Sequence, residues 1–233
     1  MTTTGMAVVT GASRGLGFAL ISRLAREGVR TVGVVRQSTD QDRIRALGHH
    51  VRAVVADVTT DQAADRIVAA VRKTPVSLLI HNAGRTYGPA GLNDLNLDDV
   101  RHSLALHCLA PIHISRALLP NLLSAGRPAV ALVSSRWGAF STVASEEKVT
   151  GPLHYAYRIG KAAENMAGLC LRQDLAAVGI RVFAVHPGAL RTRLAAVDAN
   201  VEPDDAARSL ISLCRQQASP NPFVYRDGRA HPW

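Results

Sequence analysis

Two residues on one helical face can carry acid chemistry: Tyr157 and Lys161, four apart where a strong helical pattern begins. A free tyrosine, with a pKa near ~10, transfers protons poorly at neutral pH. An ammonium one turn away stabilises the phenolate and draws that pKa toward the working range. Tyr155 has no such partner, since Ile159 lies four residues on. Taken alone, Y-x-x-x-K arises by chance in many helices, so its weight depends on the elements around it.

The elements that position this pair begin near the N-terminus. The apolar run Met6-Ala7-Val8-Val9 ends in Thr10-Gly11-Ala12-Ser13-Arg14-Gly15-Leu16-Gly17 and passes into a helical pattern. Glycines there let a buried strand turn sharply into a helix while the backbone approaches a bulky anion. The helix opening at Gly15 aims its unpaired N–H groups at the turn, a ready-made pyrophosphate site. The spacing is G-x-x-x-G-x-G, and the strand before and helix after it make it good evidence for a dinucleotide.

Apolar runs recur at Ala7–Thr10, Thr31–Val35, Val51–Ala56, Ser77–His81, Ala129–Ser134, Arg181–His186 and Phe223–Tyr225. Amphipathic segments near Leu16–Glu27, Asp40–Leu47, Asp61–Lys73, Leu97–Leu123, His154–Val178 and Pro203–Gln217 separate them. This alternation predicts an α/β fold: a Rossmann-type doubly wound parallel sheet of about seven strands, with helices on both faces. Pro111 and Pro120 predict a kink or break in the fourth helical region. With no repeat or linker, one domain spanning residues 1–233 is expected.

The second strand ends at Val34-Val35-Arg36. An acidic residue there suits the ribose 2′-hydroxyl of NAD, whereas arginine pairs with a 2′-phosphate. Arg14 approaches the same point, so NADP(H) is the favoured cofactor; the alternative is two solvated surface arginines. Asp57, in Ala56-Asp57-Val58, is placed to accept from the adenine amine or, alternatively, to act as a turn or cap residue.

The chain carries 27 basic and 18 acidic residues, a net charge of +9 with a pI near 10.3. Only Lys73, Lys148 and Lys161 are lysine, and the arginines are scattered along the chain. Nucleic-acid footprints are clustered, so no nucleic-acid partner is expected, and the charge favours an anionic cofactor or substrate. No apolar run approaches the roughly 20 residues of a membrane span, and Met1-Thr2-Thr3-Thr4 lacks a basic leader. Cys108, Cys170 and Cys214 read as buried thiols of a reducing compartment, with no metal site, so a cytoplasmic location is expected.

With both motifs in hand, the chain resembles the short-chain dehydrogenase/reductase family over nearly its whole length. The matches, in order, are Thr10–Gly17, Asp57-Val58, Asn82-Ala83-Gly84, Ser134-Ser135, Tyr157-x-x-x-Lys161, and Pro187-Gly188 followed by Thr192. Ser134-Ser135-Arg136, Tyr157-Arg158, His186-Pro187-Gly188 and the tail Tyr225-Arg226-Asp227-Gly228 with Pro232-Trp233 resemble its C-factor subgroup.

The resemblance implies that Ser135 hydrogen-bonds a substrate carbonyl, Tyr157 donates the proton, and Lys161 binds the nicotinamide ribose. Asn82 buttresses the central strand and the cofactor, and Thr192 holds the carboxamide or phosphate. Ser134 competes with Ser135, which Gly138 follows at the family's spacing. The implied activity is NADPH-dependent reduction of a ketone or aldehyde, possible in secondary metabolism. The rival readings are a dehydratase or isomerase on the same fold, or a non-catalytic nucleotide-binding protein. Relatives associate through the helices at Leu97–Leu123 and His154–Val178, so a homodimer or homotetramer is expected, with Ala162, Ala163 and Ala167 permitting close approach.

Three departures from the family's pattern stand out. His107 holds the place of an asparagine that anchors a relay water to the lysine. It is read either as a water-holding group, kept neutral beside Lys161 and giving an acid limb below about pH 6, or as a structural histidine. Gly160 stands where serine usually precedes the lysine. The span of 22 positions from Ser135 to Tyr157 is long, and the extra residues within Phe140–Leu153 read as a substrate loop or a surface insertion. Arg85, Tyr87, Arg136, Trp137, Arg191 and Arg193 fall on loops at the strand ends and are candidates to line the site.

Overall fold

The computed structural model describes residues 5–145, 153–192, 199–216 and 221–233. Seven parallel strands form one sheet in the order β3-β2-β1-β4-β5-β6-β7. They are β1 (Met6–Thr10), β2 (Thr31–Val35), β3 (Val51–Val55), β4 (Val76–His81), β5 (Ala129–Val133), β6 (Arg181–His186) and β7 (Phe223–Tyr225). The strand order reverses between β1 and β4, whose carboxyl ends therefore flank the crevice where such sheets take ligands.

Both faces of the sheet are covered. Ala7 and Val9 of β1 pack with Leu20, Ile21 and Leu24 of α1 (Gly15–Arg26) and with Leu210 and Ile211 further along the chain. Ile44 of the short α2 (Gln41–Arg45) closes the same layer. Met6 and Val8 face the opposite layer, with Ile67 of α3 (Gln62–Val71), Ile114 and Leu175. The twofold alternation of a strand thus divides one apolar run between two buried cores.

The fourth helical region is bent where its prolines require it. Helix α4 (Leu97–Leu104) widens into a π turn at Ala105–Leu109, where the Ala110 N–H donates to Ala105 five residues back, and then continues as α5 (Ala110–Ala117). Pro111 offers no N–H to the carbonyl of His107, and its ring would crowd that carbonyl in a regular turn. A second break at Leu118 precedes α6 (Leu119–Leu123), with Pro120 in its first turn. A short α7 (Phe140–Ala144), the long α8 (Tyr155–Ala176) and α9 (Pro203–Arg215) complete the helices.

The cysteines differ from expectation: Cys214 is buried, Cys108 is half-buried and Cys170 is exposed on α8. Ala167 already faces the chain's own core. The candidate loop is only partly described, since residues 146–152 lie outside the described residues; Leu153 pairs with Ala90 as an antiparallel bridge.

Three desolvated histidines, His81, His186 and His107, make the fold acid-sensitive, offset in part by the buried Glu164, whose carboxyl burial pushes up to about 7. Burial holds His81 down to about 3, with its Nε2 2.9 Å from Ser115 Oγ. Burial first, then His231 and Arg136, hold His186 down to about 4. Unfolded histidine titrates near ~6.5, so below that pH the unfolded chain binds more protons and stability falls as pH falls. Each neutral histidine contributes a slope of up to about 1.4 kcal/mol per pH unit. The urea midpoint is expected to drop between pH 7 and pH 5, with a shallower drop in His81→Asn. An unchanged midpoint across that interval contradicts the assignment.

Candidate active site

The glycine turn is locked to the sheet by a single side chain. Asn82, just past β4, donates from Nδ2 to the carbonyls of Thr10 (3.0 Å) and Gly11 (3.1 Å). Thr10 Oγ1 in return accepts from the backbone N–H groups of Asn82 and Ala83, both at 3.0 Å. No room remains for side chains at two of the glycines. A Cβ on Gly17 would lie 2.1 Å from the Gly11 carbonyl oxygen, and one on Gly11, at φ +66°, would lie 2.7 Å from Ala83 Cα. Gly15 opens toward the other wall of the crevice, where a Cβ would meet Thr192 at 3.2 Å. Helix α1 starts at Arg14 without a side-chain cap and with no acidic residue in its first turn. Its leading N–H groups are left to an anion, as a pyrophosphate requires. Ser13 is half-buried and Leu16 buried in this turn, and the chain leaves β6 through Pro187 and Gly188, the latter at φ +91°.

Arg14 and Arg36 are both exposed at this end of the crevice. A third arginine joins them: Arg43 of α2 donates to the Ser13 carbonyl at 3.3 Å and lies 3.7 Å over the Phe18 ring. Asp57 Oδ1 accepts from the Thr59 N–H and hydroxyl, so the turn role holds for that oxygen. Burial acts against its ionisation, but Thr59 and then Arg36 hold its carboxyl below the usual value. Val58 beside it is buried. The residues present therefore fit a dinucleotide: glycines where a Cβ would fill the cradle, a bare helix end, and a cationic rim.

The catalytic candidates meet at the ends of β5 and α8. Ser134 Oγ donates to Asn165 Oδ1 at 2.5 Å, and Asn165 donates to the Gly138 carbonyl, so Ser134 is used within the core. Ser135 Oγ accepts from the Trp137 N–H at 3.2 Å, which leaves its own proton to donate. The turn Arg136–Gly138 presses onto α8: a Cβ on Gly138 would lie 2.6 Å from the Lys161 carbonyl group. That contact sets the turn that follows Ser135 against the helix that carries Tyr157 and Lys161. The Tyr157 ring is held edge-on by Trp137 (5.9 Å between centroids) and by His107 (5.8 Å), and Trp137 stacks on His154 at 4.8 Å. Lys161 is buried, its Nζ 5.8 Å from the Tyr157 ring centre.

His107 is fully enclosed, and burial, aided by Lys161, holds its pKa down to about 2. It stays neutral as expected, but it has no protonation near pH 6, so the expected acid limb cannot come from it. Its Nε2 lies 3.4 Å from the Arg85 carbonyl, and among the described residues no hydrogen-bond partner reaches Nδ1. The ring is seated between two glycines. A Cβ on Gly84 would lie 3.0 Å from its Cε1, and a Cβ on Gly160 would lie 3.2 Å from its Cδ2 and 2.1 Å from Ser103 Oγ. The glycine in place of serine thus leaves the space that the Ser103 hydroxyl and, further off, the imidazole occupy.

Of the lining candidates, Trp137 borders Tyr157 and Arg136 is exposed. Tyr87 is buried beneath the Arg85 guanidinium, and Arg191 is drawn to the Ala199 carbonyl and Glu202. Arg193 lies outside the described residues. Reasoning from sequence did not find Thr10, Arg43, His154, Glu164 or Asn165; a carboxylate three residues past Lys161 on a buried helix face was the one available signal.

The packing around His107 predicts that Gly160→Ala costs roughly 1–3 kcal/mol of stability through overpacking. Adding Ser103→Ala should recover part of that loss. Full wild-type stability in Gly160→Ala alone would contradict the close approach of α4 and α8.

Comparison with known proteins identifies the family and the fold. The family model for short chain dehydrogenases matches residues 5–202. A 1-deoxy-11-beta-hydroxypentalenate dehydrogenase of Streptomyces exfoliatus is 33% identical over 224 residues, covering 88% of this chain and 77% of that protein. The C-signal protein of Myxococcus xanthus is 32% identical over 139 residues, covering 60% of this chain and 80% of its own. In fold, an NADPH-bound carbonyl reductase from chicken fatty liver superposes with a TM-score of 0.87 over 100% of both chains at 21% identity. The chain belongs to the short-chain dehydrogenase family.

Proposed function

We propose that this protein is an NADPH-dependent carbonyl reductase. The observation that carries this reading is the seating of Gly138 on the Lys161 backbone, which sets the turn after Ser135 against the helix of Tyr157 and Lys161. Ser135, already accepting from Trp137, donates its proton to the substrate carbonyl and polarises it. Tyr157, its ring fixed between Trp137 and His107, donates a proton to the developing alkoxide. The Lys161 ammonium then stabilises the phenolate left behind. NADPH, when bound, supplies the hydride.

The preference for the phosphorylated cofactor rests on Arg14, Arg36 and Arg43 around the crevice end, where Arg36 rather than an acidic residue directly follows β2. Asn82, Ala83 and Gly84 wall the middle of the crevice, and Thr192 faces Gly15 across it. The Streptomyces relative, named for a hydroxypentalenate, supports a hydroxyl–carbonyl couple on a bulky natural product. The exposed Leu109, Ile112, Ile159 and Met166 on α5, α8 and the turn between α4 and α5 support burial against a second copy, as homodimer or homotetramer, which sedimentation reads directly.

The test is NADPH absorbance against a panel of ketones and aldehydes. Tyr157→Phe should lower turnover about 10²–10⁴-fold while NADPH affinity stays within a few-fold; Tyr155→Phe should be mild. NADPH should bind at least about tenfold tighter than NADH, a difference of about 1.4 kcal/mol, and Arg36→Asp should abolish or reverse that preference. Equal affinities for the two cofactors, or a Tyr157→Phe enzyme as active as wild type, would overturn the reading.

A further inference from the structure

The lysine of the proton-donating pair has a partner that the Y-x-x-x-K motif does not contain. Glu164, one turn further along α8, is enclosed to 1% exposure, and its Oε2 accepts from Lys161 Nζ at 2.7 Å. The same ammonium donates to the Val133 carbonyl at the end of β5, also at 2.7 Å. Lys161 thus has one N–H direction left for anything in the crevice. The groups facing this ion pair are Cys108 from the π turn, on the carboxylate, and His107 and Tyr157, on the ammonium. A helix that needed only packing here would carry an apolar residue, since a buried ion pair gains little or nothing over a well-packed hydrophobic one.

We propose that Glu164 is a positioning residue: its charge fixes the Lys161 ammonium against β5 and sets, through it, the alkaline limit at which Tyr157 still donates a proton. The inference rests on the Tyr157–Lys161 assignment. Burial pushes the Glu164 carboxyl up to about 7, against the pull of Lys161, so on the alkaline side it is a carboxylate. The sign of its effect does not depend on which partner titrates. When either Tyr157 or Lys161 loses the first proton, the pair becomes one unit less positive, and a neighbouring negative charge opposes that loss. Removing the charge lowers the first pKa of the pair.

The experiment is the pH profile of kcat/KM for ketone reduction by wild type, Glu164→Gln and Glu164→Asp. Glutamine should move the alkaline limb down by about one pH unit, the size expected at Tyr157 of a unit charge about two helical turns away at an effective dielectric of about 20. Aspartate, which keeps the charge, should hold the limb within a few tenths. Glu164→Leu removes the charge by a different shape and should move the limb the same way, which covers a glutamine variant that fails to fold. A second readout needs no turnover: the alkaline titration of phenolate absorbance, taken as the difference between matched proteins with and without Tyr157→Phe. A wild-type enzyme inactive on carbonyls, with the phenolate shift present, would overturn the reductase reading and support the role of Glu164. Turnover with an unmoved limb and an unmoved phenolate would overturn the role of Glu164 alone.

Discussion

The exchange between Asn82 and Thr10 is the contact on which the cofactor crevice depends. Two backbone N–H groups after β4 are satisfied by the Thr10 hydroxyl, and two carbonyls at the end of β1 by the Asn82 amide. These four bonds tie the ends of the two central strands together where the strand order reverses. With the strand ends fixed, the backbone at Gly11 and Gly17 comes within van der Waals reach of its neighbours, and α1 starts close to the sheet. The anion-binding end of that helix is therefore held by the sheet itself. A loop with the same glycines but no such tie would have its N–H groups wander, and an oriented donor array is worth more than a mobile one.

The chemical end of the crevice is built by a second close approach, that of the turn Arg136–Gly138 to α8. Here too a glycine is required by backbone on the other side, at Lys161. The Ser134–Asn165–Gly138 bonds hold the turn in place from beneath. The ring of Tyr157 is then enclosed by Trp137 on one side and His107 on the other. Edge-to-face contacts of this kind add about 0.5–1.5 kcal/mol each and fix ring orientation. The crevice and the acid are thus separate constructions joined through the strands β1, β4 and β5.

What could be read from the sequence was what local chemistry dictates. The seven strands, the glycine turn and the spacing of Tyr157 and Lys161 each depend on neighbours in the chain, and the structure places all of them within a residue or two. The π turn before Pro111 was foreseen as a kink and its form follows from the missing N–H. Contacts between distant segments were not legible. Arg43 reaches Ser13 only because the chain brings α2 back to the glycine turn, and the Lys161–Glu164 pair, adjacent on its helix, is completed by the Val133 carbonyl of β5. Gly160, standing where serine usually precedes the lysine, is the space that the imidazole of His107 and the Ser103 side chain require. Cys170, read as buried, is exposed because α8 turns that position outward.

The account makes one claim from which the rest follows: a dinucleotide lies from the α1 end, past Asn82, to Tyr157. A crystal structure of the protein with NADPH tests it most directly. The pyrophosphate should contact the N–H groups that open α1, the 2′-phosphate should lie among Arg14, Arg36 and Arg43, and the nicotinamide ribose should meet Tyr157 and Lys161. NADPH bound elsewhere, or in this crevice with its adenine at Tyr157, would contradict it.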